Sequence, residues 1–128
     1  MNNIVPNDQL ATVWPQALTW LQEAIDRNQG DENSWDVFAA LCQGRYWLIH
    51  EPGKYAGVFQ VMKHPRQTVC TVLYAGGNDL DAMKATFEAG KEFCRANKID
   101  VLRVWGRKGW QKLLGLERKG VILQVAIK

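Results

Sequence analysis

The chain has 128 residues, 47% of them hydrophobic and 23% charged, and a net charge of +3. That balance excludes a disordered or collagen-like chain, and the length fits one domain over residues 1–128, able to bury roughly two-thirds of its unfolded surface unaided. The apolar runs are too short for a membrane span, and residues 1–9 are polar and contain Pro6, unlike a signal peptide.

Residues 3–6 read as a short strand. Trp14, Leu18, Leu21 and Ile25 recur at spacings of 4, 3 and 4, one face of a helix. Pro15 suits the first turn of that helix, and residues 29–31 end it. Asn33 or Ser34 caps a second helix with the face Trp35, Phe38, Leu41 and Cys42, stopped at Gly44. The pattern then changes to period two. Residues 45–51, 55–63 and 68–74 read as three strands, joined by turns at 52–54 and 64–67, which makes an antiparallel meander. Residues 75–77 break the third strand. Asn78 caps a long helix to about residue 97, with Leu80, Met83, Phe87, Gly90 and Cys94 on its buried face. A strand at 99–105, a loop at 106–109, a short helix at 110–114 and a last strand at 121–127 complete the order. A helix between two strands implies a crossover and parallel pairing. The expected fold is therefore α/β (α+β): a mixed sheet built from a meander, a long crossover helix and a C-terminal strand–helix–strand.

Six tryptophans (Trp14, Trp20, Trp35, Trp47, Trp105 and Trp110) point mainly to an aromatic core. Cys42, Cys70 and Cys94 lie in apolar segments with wide, unpaired spacing. They read as reduced, buried thiols of a cytosolic protein, with no disulfide framework and no metal site. Charge is uneven. Residues 1–51 hold seven acids against Arg27 and Arg45, a net −5, while residues 99–128 reach +5. Two solvated faces that attract each other within the fold account for this, and so does an acidic partner, nucleic acid or self-association.

Several stretches carry a resemblance over nearly the whole chain. They are Val13-Trp14-Pro15, Gly44-Arg45-Tyr46-Trp47-Leu48, Gly76-Gly77 and, most distinctive, Gly106-Arg107-Lys108-Gly109-Trp110 followed by Leu113 and Leu114. With them the chain resembles small tailed-phage and prophage proteins described as GNAT-like, that is, with the acyl-CoA N-acyltransferase fold. Its layout is similar to internal virion proteins of podoviruses. The resemblance implies a bacteriophage head or virion protein, found in the host cytoplasm during assembly. Its partners would be other virion proteins or copies of itself, and its acyltransferase chemistry is inferred from fold alone.

GNAT enzymes hold the pyrophosphate of acetyl-CoA on backbone N–H groups at the start of the long helix, an anion site by geometry and dipole. The corresponding residues are Gly76, Gly77 and Asn78, the cofactor-binding set if the chain is an enzyme. The loop lacks Arg, Lys or Gln, and Asp79 and Asp81 place two negative charges in the first turn. The family's tyrosine general acid falls near Gln111, and residues 108–114 contain no tyrosine. His50 has the ordinary pKa of a base but reads as a rim histidine, and His64 as a solvent-exposed turn residue. Asp31 and Glu32 read as a solvated loop pair. No catalytic residue is assigned.

Arg107 and Lys108 lie between Trp105 and Trp110, with Lys112 beyond. Basic and aromatic side chains so interleaved suit an acidic or phosphate-rich partner, so Arg107, Lys108, Trp110 and Lys112 are the partner-binding candidates. Three functions follow: a non-catalytic structural protein acting by protein–protein interaction, an acetyl-CoA-dependent N-acyltransferase with a remodelled site, and a nucleic-acid (DNA) contact protein using the basic C-terminal half.

Overall fold

The computed structural model describes residues 4–28, 30–104, 115–117 and 124–127. After a single 3-10 turn at Asn7–Gln9, helix α1 spans Leu10–Asp26 and buries Leu10, Trp14, Ala17, Leu21 and Ile25. The helix begins earlier than the apolar spacing indicates, so Pro15 lies inside it and not in its first turn. Pro15 and Ala11 are both exposed, which puts the carbonyl that the proline deprives of an N–H partner on the solvent side.

Helix α2 spans Ser34–Cys42 and starts with a capping box: Asn33 accepts from the Asp36 N–H, and Asp36 accepts from the Asn33 N–H. Its buried residues are Val37, Ala40 and Leu41. This corrects the expected face. Trp35 stands about 200° around the helix from Val37 and is 76% exposed, and Cys42 is exposed rather than buried.

Strands β1 (Trp47–Glu51), β2 (Tyr55–Lys63) and β3 (Thr68–Gly77) form the antiparallel meander, and helix α3 (Leu80–Ala96) crosses over to β4 (Val101–Val104). The sheet order is β1-β2-β3-β4, with β4 parallel to β3. Ile4 bridges Ile49, and the Val5 N–H donates to the Leu48 carbonyl at 2.8 Å, so the N-terminal strand is a brief pairing at the β1 edge. Helices α1 and α2 cover one face of the sheet over Leu48, Ala56, Val58 and Tyr74. Helix α3 covers the other over Ile49, Phe59, Cys70 and Val72. Mixed α+β layering follows, as the sequence order requires.

Strand β3 does not end at Tyr74. It runs on through Ala75, Gly76 and Gly77, paired with Gly57, Ala56 and Tyr55. The glycines continue the strand because neighbours crowd them: a Cβ on Gly76 would lie 1.9 Å from the Trp20 carbonyl oxygen of α1. The cap of α3 is Asp79, not Asn78; its carboxylate accepts from the Ala82 N–H at 2.8 Å. Helix α3 buries Ala82, Thr86, Phe87, Gly90 and Cys94, whereas Leu80, expected on that face, is 63% exposed.

Among the tryptophans, Trp14 is buried, Trp20 half-buried, and Trp47 exposed with its ring against Phe93 at 5.8 Å. The expected loop at 106–109 and helix at 110–114, with Trp105 and Trp110, fall outside the described residues. Of the expected last strand, residues 124–127 lie in no strand, with Val125 and Ile127 exposed. No described strand offers their amides a ladder.

Candidate functional site

Between Val58 and Phe59 the β2–β3 register slips: Val58 faces Tyr74, and Phe59 faces Val72. Leu73 is thus an extra residue, a β-bulge. Side chains alternate along a strand, so one extra residue reverses the facing of every later residue in that strand. Cys70 and Val72 point to the α3 side, and the bulge turns Tyr74 to the α1–α2 side. Among the described residues the pairing of β3 with β4 reaches Val72 and Val104, and β3 runs on to Gly77 paired with β2.

The redirected Tyr74 meets a polar cluster that the sequence reading missed. Its hydroxyl donates to Glu32 Oε1 at 2.6 Å, and the Tyr46 hydroxyl donates to Glu32 Oε2 at 2.9 Å. Asn28 Nδ2 donates to the Glu32 carbonyl at 2.7 Å and to the Tyr74 hydroxyl at 3.3 Å. The Asn28 Oδ1 accepts from the N–H groups of Gly30 and Asp31, which fixes the loop between α1 and α2. Glu32 is half-buried and pairs with no cation among the described residues. Burial, then the hydrogen bond and charge of Glu32, push the Tyr46 hydroxyl up to about 12, and the same causes raise Tyr74. Both tyrosines are therefore neutral donors at physiological pH, holding the Glu32 carboxyl group between them. Three residues that lie 14 and 42 positions apart in sequence meet here, so no local motif announces them.

Several polar groups at the start of α3 are engaged by the chain itself. Gly76 seats the backbone of α1, and a Cβ on Gly77 would crowd Ala82 and the Lys54 carbonyl at 2.9 and 3.0 Å. The Asn78 N–H donates to the Lys54 carbonyl at 3.0 Å, and its side-chain amide donates to Gly53 O at 3.2 Å. Asp79 takes the Ala82 N–H through its carboxylate and the Met83 N–H through its carbonyl. Asp81 adds a second carboxylate in the first turn. A pyrophosphate needs free N–H groups and suffers from like charge. The engaged amides of Asn78, Ala82 and Met83 and the carboxylates of Asp79 and Asp81 oppose a pyrophosphate at this helix start.

His50 is not a rim residue. It is 8% exposed, and its Nε2 has no hydrogen-bond partner among the described residues; burial lowers its pKa. It sits on the row His50–Ala56–Gly76, away from Glu32 in register. Cys70 and Cys94 are buried with thiols in contact between β3 and α3, and burial pushes both up, which opposes nucleophilic use. His64 is exposed in its turn, as expected. The described residues hold no group of side chains able to bind a metal ion and no helix long and apolar enough to cross a membrane. Arg107, Lys108, Trp110 and Lys112 fall outside the described residues.

No protein-family model matches the chain, and no curated protein matches it. Solved structures do. An aminoglycoside acetyltransferase, meta-AAC0020 from an uncultured soil metagenomic sample, solved in complex with sisomicin, superposes with a TM-score of 0.69 at 11% identity. The match covers 98% of this chain and 94% of that one. A possible acetyltransferase from Clostridium difficile 630 gives a TM-score of 0.62 at 12% identity, over 98% and 95% of the two chains. The wild-type protein TTHA1254 from Thermus thermophilus gives 0.54 at 12% identity, over 96% and 93%. Identities this low speak to the fold and not to the activity. In the four-stranded mixed sheet of its described residues, the bulged third strand and the crossover helix, this chain has the GNAT-like acetyltransferase fold.

Proposed function

We propose that this chain is a protein-interaction module on the GNAT-like fold and that it works without acyl-CoA. The observation that carries the reading is the start of α3. There the two glycines are required by Trp20, Tyr55 and Ala82, the amides of Asn78, Ala82 and Met83 are hydrogen-bonded within the chain, and Asp79 and Asp81 oppose an anion. The resemblance of the sequence to small tailed-phage proteins supports a virion protein as the partner. The test is calorimetric titration of the purified chain with acetyl-CoA at low salt. This reading expects no saturable heat, and binding at micromolar concentration overturns it.

A second reading, an N-acyltransferase with a remodelled site, is favoured by a different observation: β3 bulges at Leu73, beside a carboxylate held by two tyrosines. Bulges often sit beside active sites. That reading expects acetyl-CoA to bind in the same titration and an added amine to release free thiol.

A further inference from the structure

Cys70 and Cys94 are thiols outside both functional readings, and the fold brings them together. Cys70 lies in β3, in register with Val61 of β2 and Leu102 of β4, and is fully buried. Cys94 lies in the last turn of α3 and is 7% exposed. Contacts on both sides of Cys94 hold the end of α3 against this part of the sheet. One turn earlier, Gly90 lets the helix approach: a Cβ there would lie 3.3 Å from the Phe59 ring and 3.5 Å from Leu102. Beyond it, the Cys94 carbonyl accepts from the Ile99 N–H at 2.9 Å, and the Asp100 N–H donates to the Thr68 carbonyl at 3.1 Å. The Thr68 N–H donates in turn to the Asp100 carboxylate at 2.9 Å. Thr68 and Cys70 stand two residues apart on an unbulged stretch of β3, so they share a face. Both cysteines belong to the core between α3 and the sheet, and their thiols meet there. Cys42 stands apart, exposed at the end of α2.

We propose that Cys70 and Cys94 form a redox clasp, joining in a disulfide that ties the last turn of α3 to β3 under oxidising conditions and parting into two buried thiols under reducing ones. The oxidant is a small disulfide such as oxidised glutathione. The Cys94 thiolate attacks one glutathione sulfur, the glutathione S–S bond breaks, and one glutathione leaves as thiolate. The Cys70 thiolate then attacks the Cys94 sulfur of the mixed disulfide and releases the second glutathione. Two protein thiols are oxidised by two electrons, one glutathione disulfide is reduced, and the two thiol protons end on the two glutathiones. Exchange needs a thiolate and access, which the folded core denies. The clasp therefore closes while the chain folds or opens locally, and the packing of α3 on β3 sets its equilibrium. A disulfide here closes residues 70–94 into a loop, which lowers the entropy of the unfolded chain and stabilises the oxidised fold. The inference stands apart from the interaction-module reading and holds whether or not the chain binds acyl-CoA.

The test equilibrates the full chain, and its Cys42→Ser variant that lacks the exposed thiol, in glutathione buffers of graded ratio. Samples are quenched with acid and read by mass spectrometry, and circular dichroism confirms the fold. The proposal expects both proteins to lose two hydrogens, and tryptic mapping to join the peptide holding Cys70 to the peptide holding Cys94. The folded Cys42→Ser chain is expected to be half oxidised at a ratio of oxidised to reduced glutathione about tenfold lower than the same chain needs in urea, because only the fold brings the two thiols together. The oxidised chain is expected to melt about 10 °C above the reduced one. Equal ratios in buffer and in urea would overturn the proposal, since the folded contact would then contribute nothing. So would a folded chain without the Cys70–Cys94 link in the most oxidising buffer, whether its thiols stay free, carry glutathione or link through Cys42. An oxidised chain that melts at or below the reduced one would also overturn it, because the disulfide would then strain the core it is proposed to clasp.

Discussion

Gly76→Ala tests whether the glycine pair serves packing. The added Cβ would meet the Trp20 carbonyl oxygen at 1.9 Å, and ordinary contact begins near 3.4 Å, so α1 or β3 must yield about 1.5 Å. The obstacle is backbone, not the flexible end of a side chain, and α1 is pinned by five buried residues, Leu10, Trp14, Ala17, Leu21 and Ile25. Overpacking a rigid site costs typically 1–3 kcal/mol and sometimes more. Immovable backbone places this case at about 3 kcal/mol. For a chain of this size each kcal/mol lowers Tm by roughly 3–5 °C, so a fall of about 10 °C is expected. Gly77→Ala, with contacts of 2.9 and 3.0 Å, is expected to fall by less. Calorimetric melts of the two variants beside the parent are the assay. A Gly76→Ala melt within about 2 °C of the parent would refute the seating of α1 on the end of β3, and with it the structural account of the glycines.

His50 is buried with a lowered pKa, so the unfolded chain binds a proton that the folded chain resists. Stability is then expected to fall as pH drops below about 6.5, and His50→Gln should flatten Tm between pH 5 and 7; an unchanged slope contradicts this. Glu32→Ala strips the acceptor from Tyr46 and Tyr74 and is expected to cost about 2 kcal/mol, measured by urea unfolding. Tyr46, raised to about 12, contributes stability that is whole below pH 10 and lost as pH rises toward 12, and Glu32→Gln should narrow that window in an alkaline melt. In the native protein a thiol reagent is expected to modify Cys42 quickly and Cys70 and Cys94 only on unfolding; three equal rates would contradict the burial.

Elements whose signal is local were legible in the sequence. Strand β2 falls at residues 55–63, as period-two alternation between two flanking turns predicts. Helix α2 starts where Asn33 can cap, and parallel pairing of β3 with β4 follows from a helix between two strands. Signals that depend on tertiary contact misled. Gly76 and Gly77 look like strand breakers, yet the approach of α1 makes glycine the residue that lets β3 continue. Trp35 looks like core, but Val37, Ala40 and Leu41 give α2 a different buried side and leave Trp35 to solvent. Asn78 and Asp79 are both good caps, and the choice fell to Asp79 because Asn78 is tied to Lys54 and Gly53. The Glu32 cluster was invisible for a topological reason. A one-residue bulge turns Tyr74, and only the folded sheet brings it beside Tyr46 and the α1–α2 loop.

The most direct test of the central claim is a thermal melt of the full chain with and without about 1 mM acetyl-CoA at low salt. A cofactor held with Kd near 10 μM would stabilise the folded state by about 2.7 kcal/mol and raise Tm by several degrees. Tm is expected to stay unchanged, because the amides of Asn78, Ala82 and Met83 are hydrogen-bonded within the chain and Asp79 and Asp81 repel a pyrophosphate. A Tm that rises with acetyl-CoA and saturates would contradict this and point to an active site at the Leu73 bulge.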